Sequence, residues 1–353
     1  MIEIISIEKA EKWDEVVKSF SQYDVYYLSG YVKAFQLHGD GKPLLFYYQR
    51  DDLRGICVMM KRDISKSNHF RNILPENTLF DIVTPYGYGG FLFEGNTSVE
   101  NIVEFDREYS EFLNFENIIS VFVRFHPQLN NADVVRPISN VIDLGKTIEM
   151  DVSSEKIIWD NISSKNRNVI RRAEKNGVVI KQGRSMDLFD KFIDIYNRTM
   201  EKDNAESYYF FSLDFYQSIH IDLYENYEMY YAEYNGEIIA MSIILYANGR
   251  IHYHLSGSVF EYRHLAPSNL LLYRVALWGA EHGYKTFHLG GGVGSGEDGL
   301  FKFKKAFNPN SGLQFSIGKK IYNQEKYDAL VEMRQKDNSE FDIHSSYFPL
   351  YRA

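Results

Sequence analysis

A chain of 353 residues with 44% hydrophobic and 16% aromatic content is too long for one ordinary core and too apolar for a disordered polymer, so two globular domains are expected. Its 39 Lys and Arg against 48 Asp and Glu give a formal charge of -9, which disfavours general nucleic-acid binding, DNA included, while leaving room for a local basic patch. The single cysteine, Cys57, rules out an internal disulfide framework or a cysteine-rich metal site, and without a signal-peptide pattern or a membrane-length apolar run a cytoplasmic, soluble protein is expected.

In chain order, the pattern predicts a strand over 2–6, helices over 8–20 and 31–37, and strands over 43–49 and 55–61 joined by the hairpin signal Asp51-Asp52. A strand over 78–83 leads into Thr84-Pro85-Tyr86-Gly87-Tyr88-Gly89-Gly90, followed by a helix over 99–113 and a strand over 118–125 stopped near Pro127. A domain boundary is expected near 145–153, dividing the chain into 1–146, 147–318 and a terminal segment 319–353. The second half continues with a helix ending at Asn176-Gly177, helices over 188–200 and 213–224, and a meander whose strands are joined by Asn235-Gly236 and Asn248-Gly249. Asn-Gly is the strongest short hairpin signal. The strand over 250–256, a helix over 268–282 between Pro267 and Gly283, and a strand over 286–289 precede a glycine loop and the segment 300–307. A last helix, 324–334, is expected to cross back onto the first domain, because the second is complete without it. Two helices precede a similar aromatic strand in each half, as in an internal duplication.

The strand over 250–256 alternates so that His252, His254 and Ser256 share one face and Ile251, Tyr253 and Leu255 the other. His254, nearer the end of that strand, is the candidate base for removing a proton from an attacking amine. The following helix aims its unpaired first-turn N–H groups toward the end of that strand, where an anion can sit. Arg167, Arg171 and Lys175 recur at every fourth residue, a stripe whose guanidinium forks suit phosphate. Gly294-Ser295-Gly296-Glu297-Asp298-Gly299 satisfies G-x-G-x-x-G, but too little chain follows for the rest of a dinucleotide-binding domain. The glycines Gly291 and Gly292 instead let backbone approach a ligand.

Meander, kinked strand, helix, strand, helix is the order of the GNAT acyltransferase fold. The ending Leu289-Gly290-Gly291-Gly292 with Phe303-Lys304-Lys305-Ala306-Phe307, the loop from Thr84 to Gly90, and Arg167-Asn168-Val169-Ile170-Arg171-Arg172 together resemble the FemABX family, in its compact FemX-like layout. The resemblance implies an α/β fold of two tandem GNAT-like domains that transfers an aminoacyl or acyl group onto an amine of a cell-wall or surface-polysaccharide precursor. Aminoacyl-tRNA or acyl-CoA is then the donor, a nucleotide-linked or amino-sugar molecule the acceptor, and no cofactor or metal is required. By residue match Lys304 stabilises the charge that develops on the carbonyl, and Tyr86 and Tyr88 fall in the matched loop. Arg263, Ser268 and Asn269 occupy the place of the GNAT pyrophosphate loop, although Ala266 and Ser268 stand where that loop carries glycine and Pro267 removes a donor. An acyl-CoA-dependent enzyme acting on an amino sugar or small amine, and a non-catalytic binding relative, are the competing expectations.

Overall fold

The computed structural model describes residues 2–353. In chain order its elements are β1 (Ile2–Ser6), α1 (Ala10–Lys18), α2 (Ser29–His38), β2 (Lys42–Arg50), β3 (Leu53–Asp63), β4 (Phe80–Val83), β5 (Leu92–Gly95), α3 (Val99–Phe115), β6 (Ile118–Arg124), α4 (Asn131–Val135) and β7 (Asn140–Asp151). There follow α5 (Glu155–Asn161), α6 (Ser164–Lys175), β8 (Val179–Gly183), α7 (Met186–Lys202), α8 (Leu213–Asp222), β9 (Tyr227–Tyr234), β10 (Glu237–Ala247) and β11 (Arg250–Ser258). The last five are α9 (Pro267–Glu281), β12 (Thr286–Gly290), α10 (Gly299–Lys305), β13 (Leu313–Ile321) and α11 (Gln324–Asp337). None of these helices is long and apolar enough to cross a membrane.

The chain forms two compact units. One holds the chain up to Leu144 together with Phe315–Ala353, and the other is Gly145–Gln314. In the first, the strand order is β1-β2-β3-β4-β6-β13, with β5 also on β3. Ser98 starts α3 by accepting the N–H of Asn101, and Ile102, Phe105, Tyr109 and Leu113 bury the face that helical spacing brings together. They pack with Phe46, Tyr48 and Phe91. β4 and β6 are parallel over Phe80–Val83, and the pairing runs on as Thr84 N–H donates to Phe122 O (3.1 Å) and Gly89 N–H to Arg124 O (2.7 Å). Helix α11 contributes Tyr327 and Leu330 to a cluster with Ile64, Phe70, Ile119 and Tyr351. Beside it the buried Asp81 accepts from Arg62 (2.6 Å), Arg352 (2.6 Å) and the Tyr351 hydroxyl (2.9 Å).

In the second unit the order is β7-β12-β11-β10-β9-β8. Both Asn-Gly turns are of the mirror-image kind, with φ of 51° and 83° at Asn235-Gly236 and 47° and 78° at Asn248-Gly249. Helices α5, α6 and α9 cover one sheet face through Ile158, Ile170, Leu271 and Val275. Helix α7 lies so close to β11 that a Cβ on Gly257 would sit 2.8 Å from Tyr196 Cα. Pro267 opens α9 and Gly283, at φ 77°, follows its end.

Candidate active site

Within the second unit, β11 and β12 are parallel and paired only at Arg250–Thr286, Ile251–Phe287 and His252–His288. Each strand then runs on without the other. The cause lies on the opposite edge of β11, where Ile243 pairs with Leu255 and Ile244 with Tyr253, leaving His254 as the extra residue of a β-bulge. A bulge bends its strand and increases its twist. It also breaks the expected alternation: past His254 the parity changes, so His252 shares its face with Leu255 and Gly257, not with Ser256. Tyr253 consequently hydrogen-bonds toward Ser256 and Ser242, and burial raises its phenol's pKa.

His254 is pushed down to about 3, by burial first and by neighbouring His252 second. Burial thus favours the uncharged imidazole at neutral pH and makes the candidate base a weak one. His252 and His288 are both buried, their ring centroids 5.9 Å apart.

Two first turns meet beside this opening. Asn269, in the first turn of α9, donates through Nδ2 to Asn166 Oδ1 (2.8 Å) in the first turn of α6. Asn166 is only 3% exposed and its own Nδ2 has no hydrogen-bond partner among the described residues. Ser163 caps α6 by accepting the Asn166 N–H, and its own N–H donates to Ala306 O, 3.0 Å away. Ser268 and Asn269 are half-buried, and first-turn N–H groups have no intrahelical acceptor. Asn166 carries no charge and stands in an ordinary helical pattern, so only its buried amide in the folded chain marks it.

The arginine stripe is partly drawn back into the protein. Arg167 donates to Trp159 O (3.0 Å) and Ser164 Oγ (3.2 Å), whereas Arg171 lies 4.9 Å from the centre of the Trp159 ring and is exposed, as is Lys175. Arg263 is exposed and stacks on Phe260 at 3.9 Å.

The glycine loop is latched from inside. Asp298 caps α10 by accepting the N–H of Phe301 (2.8 Å) and also takes that of Val293 (3.3 Å); those backbone donors, Phe301's first, hold its carboxyl below the usual range. A Cβ on Gly292 would fall 2.2 Å from Gly296 O and 2.4 Å from Asp298 Oδ1, so only glycine fits. Lys304 donates from Nζ to Gly291 O at 2.7 Å. Burial lowers this ammonium to about 8, against the pull of Asp298. Lys302 is exposed, and Lys305 reaches over the Phe301 ring.

Tyr86 and Tyr88 belong to the first unit. Tyr31 Oη donates to Tyr86 O (2.6 Å), and Tyr88 sits among the rings of Tyr26, His126 and Phe315, where burial raises its phenol's pKa. His254, Ser268, Asn269, Gly291, Gly292 and Lys304 belong to the second unit, where Lys304 meets Gly291 and Asn269 meets Asn166, and the two tyrosines belong to the other.

Residues 163–305 match the family described as Acetyltransferase (GNAT) domain. The crystal structure of FemX superposes on 93% of this chain and 99% of its own, with a TM-score of 0.68 at 14% identity. The fold is FemX-like, with two GNAT-type domains. A conserved protein of unknown function from Bacteroides thetaiotaomicron superposes at TM-score 0.55 and 12% identity, over 90% of this chain and 99% of its own. The C-terminal domain (DUF2156) of a protein from Agrobacterium fabrum, assigned as a lysylphosphatidylglycerol synthetase, does so at 0.53 and 13%, over 93% and 94%. No curated protein matches the chain. GNAT acetyltransferases take acyl-CoA as a substrate and need no cofactor. The matched residues include the bulged β11, the helix α9 and the strand β12.

Proposed function

We propose that the protein is a GNAT-fold transferase that moves an aminoacyl or acyl group onto an amine of a cell-wall or surface-polysaccharide precursor, with the donor held by the second unit. The observation that carries this reading is the early parting of β11 and β12 after His252 and His288, beside two helix N-termini and a glycine loop. An ester or thioester entering that opening would present its carbonyl to the backbone past the bulge. The attacking amine forms the new N–C bond, the C–O or C–S bond to the carrier breaks, and the leaving oxygen or sulfur takes up a proton. Lys304 has three N–H donors and gives one to Gly291 O, so two remain for the oxyanion of the tetrahedral intermediate. Because His254 is a weak base, the ammonium of the acceptor loses its proton to solvent before attack, and His254 serves as a hydrogen-bond acceptor. Arg171 and Lys175, on the exposed face of α6, support a phosphate-bearing acceptor.

The free first turn of α9 with Arg263 nearby, and the acetyltransferase family match, support a second reading in which the donor is an acyl-CoA. Thermal-shift titration with acetyl-CoA, alanyl-tRNA and UDP-linked muramyl peptide, followed by mass analysis of the acceptor, separates the two. A donor that binds the folded state raises its melting temperature. A shift with alanyl-tRNA and an alanylated peptide supports the first reading, and a shift with acetyl-CoA alone supports the second. No shift and no N-acylated product would reduce the protein to a non-catalytic relative.

A further inference from the structure

Inside the first unit, helix α3 and the sheet beneath it enclose a cavity. Between Phe105 and Tyr109 of the helix, Val121 and Val123 of β6, and Gly318 and Tyr322 of β13, about 440 Å3 is left open, mouth included. Gly318 has no room for a side chain, since a Cβ there would fall 2.9 Å from the ring of Phe125, another lining residue. The half-buried Ile138 and Ser139, on the segment between α4 and β7, and the half-buried Lys320 of β13 mark the mouth. Lys320 is the one charged lining residue. It donates to both oxygens of Asp106 (2.5 and 2.6 Å) and to Ile138 O (2.7 Å), which engages all three donors of an ammonium. Tyr109 is 3% exposed, and its hydroxyl has no hydrogen-bond partner among the described residues.

We infer that this cavity binds a small, uncharged aryl molecule carrying one hydrogen-bond acceptor, to which the Tyr109 hydroxyl donates. Each of these properties follows from the walls. A space lined by aromatic and branched side chains stays dry, and its walls lack dispersion contacts that a ligand of matching size restores. Phe91, Phe105 and Tyr109 already pack on one another with ring centroids 4.7, 5.3 and 5.4 Å apart, and a further ring extends that set. A charged ligand finds no counterion, because the lone ammonium is satisfied by Asp106, whose carboxylate also takes the Tyr322 hydroxyl. The unpaired phenol of Tyr109 is a buried donor whose lost hydrogen bond with water a ligand oxygen replaces. Binding there needs no transferase activity, since the parted strands belong to the other unit.

The full chain is titrated with p-cresol, toluene and benzoate by calorimetry and ligand-observed NMR. p-Cresol should bind, toluene should bind about tenfold more weakly, equivalent to ~1.4 kcal/mol, and benzoate should not bind. Tyr109→Phe removes the hydroxyl with little change of volume, so it should bring p-cresol to the affinity of toluene and leave toluene unchanged. Ser139→Phe, at the mouth, should block both, with melting curves showing that each variant is folded; the Tyr109→Phe comparison stands even where Ser139→Phe fails to fold. Any of four results overturns the site: no binding of p-cresol up to saturation, benzoate bound as well as p-cresol, p-cresol and toluene responding alike to Tyr109→Phe, or p-cresol bound undiminished by a folded Ser139→Phe variant.

Discussion

Lys304 differs from Lys302, two positions away in the same short helix, because one is buried against Gly291 O and the other stands in solvent. If Lys304 meets the oxyanion, Lys304→Met should slow turnover by about thirty- to a thousand-fold, the equivalent of ~2–4 kcal/mol, while Lys302→Met stays within a few-fold. Steady-state rates and melting curves of both variants check this; equal losses, or a loss with a lowered melting temperature, would give Lys304 a structural role only. The charged form is the working one, and its folded value is lowered to about 8. Its contribution is therefore full below that pH and is lost as pH rises through it, a limb that Lys304→Arg should lack because arginine keeps its charge. Lys304 was singled out by the resemblance of Phe303-Lys304-Lys305-Ala306-Phe307 to the FemABX motif, and its burial against Gly291 O was not readable from those residues. The latch of Asp298 across the loop to Val293 was not legible, since a sequence does not show which backbone N–H a loop returns to the carboxylate.

At the scale of the elements, the two Asn-Gly turns could be read directly, because their positive φ values leave few other residues to choose from. The bulge could not: a period of two presumes that no residue is inserted, and nothing in Tyr253-His254-Leu255 announces that one is. The strands β7, β8 and β13 also lay outside the expected elements. In β8 the two half-buried residues, Ile180 and Gly183, do not alternate, as befits an edge strand with little to bury. Removing His254 should let β11 close the ladder with β10 as a regular antiparallel pair and straighten toward β12. The deletion variant should keep a cooperative melt but lose the donor-induced thermal shift. Wild-type donor binding by that variant would show that the bulge does not hold the strands apart.

For the whole molecule, the charge at Asp81 is the heaviest single commitment in the first unit. Burial alone would raise this carboxyl; Arg62 and Arg352 overcome that and hold it below the usual carboxylate range. Asp81→Asn leaves two guanidiniums facing an amide, and loss of one partner from a buried ion pair costs about 3–5 kcal/mol. Urea unfolding should show a loss of that order, and an undiminished midpoint would mean that water replaces the carboxylate without penalty. The sign with pH follows from the lowered value: the contribution is present above the ordinary carboxylate range and fades as acid protonates Asp81. The same residue also bears on the order of synthesis. Gly145–Gln314 is one continuous stretch, whereas the first unit waits for β13 and for the Tyr351 and Arg352 that close around Asp81. On the ribosome the second unit therefore has all its strands while the first still lacks one. The part of the chain translated first is the part whose core is finished last.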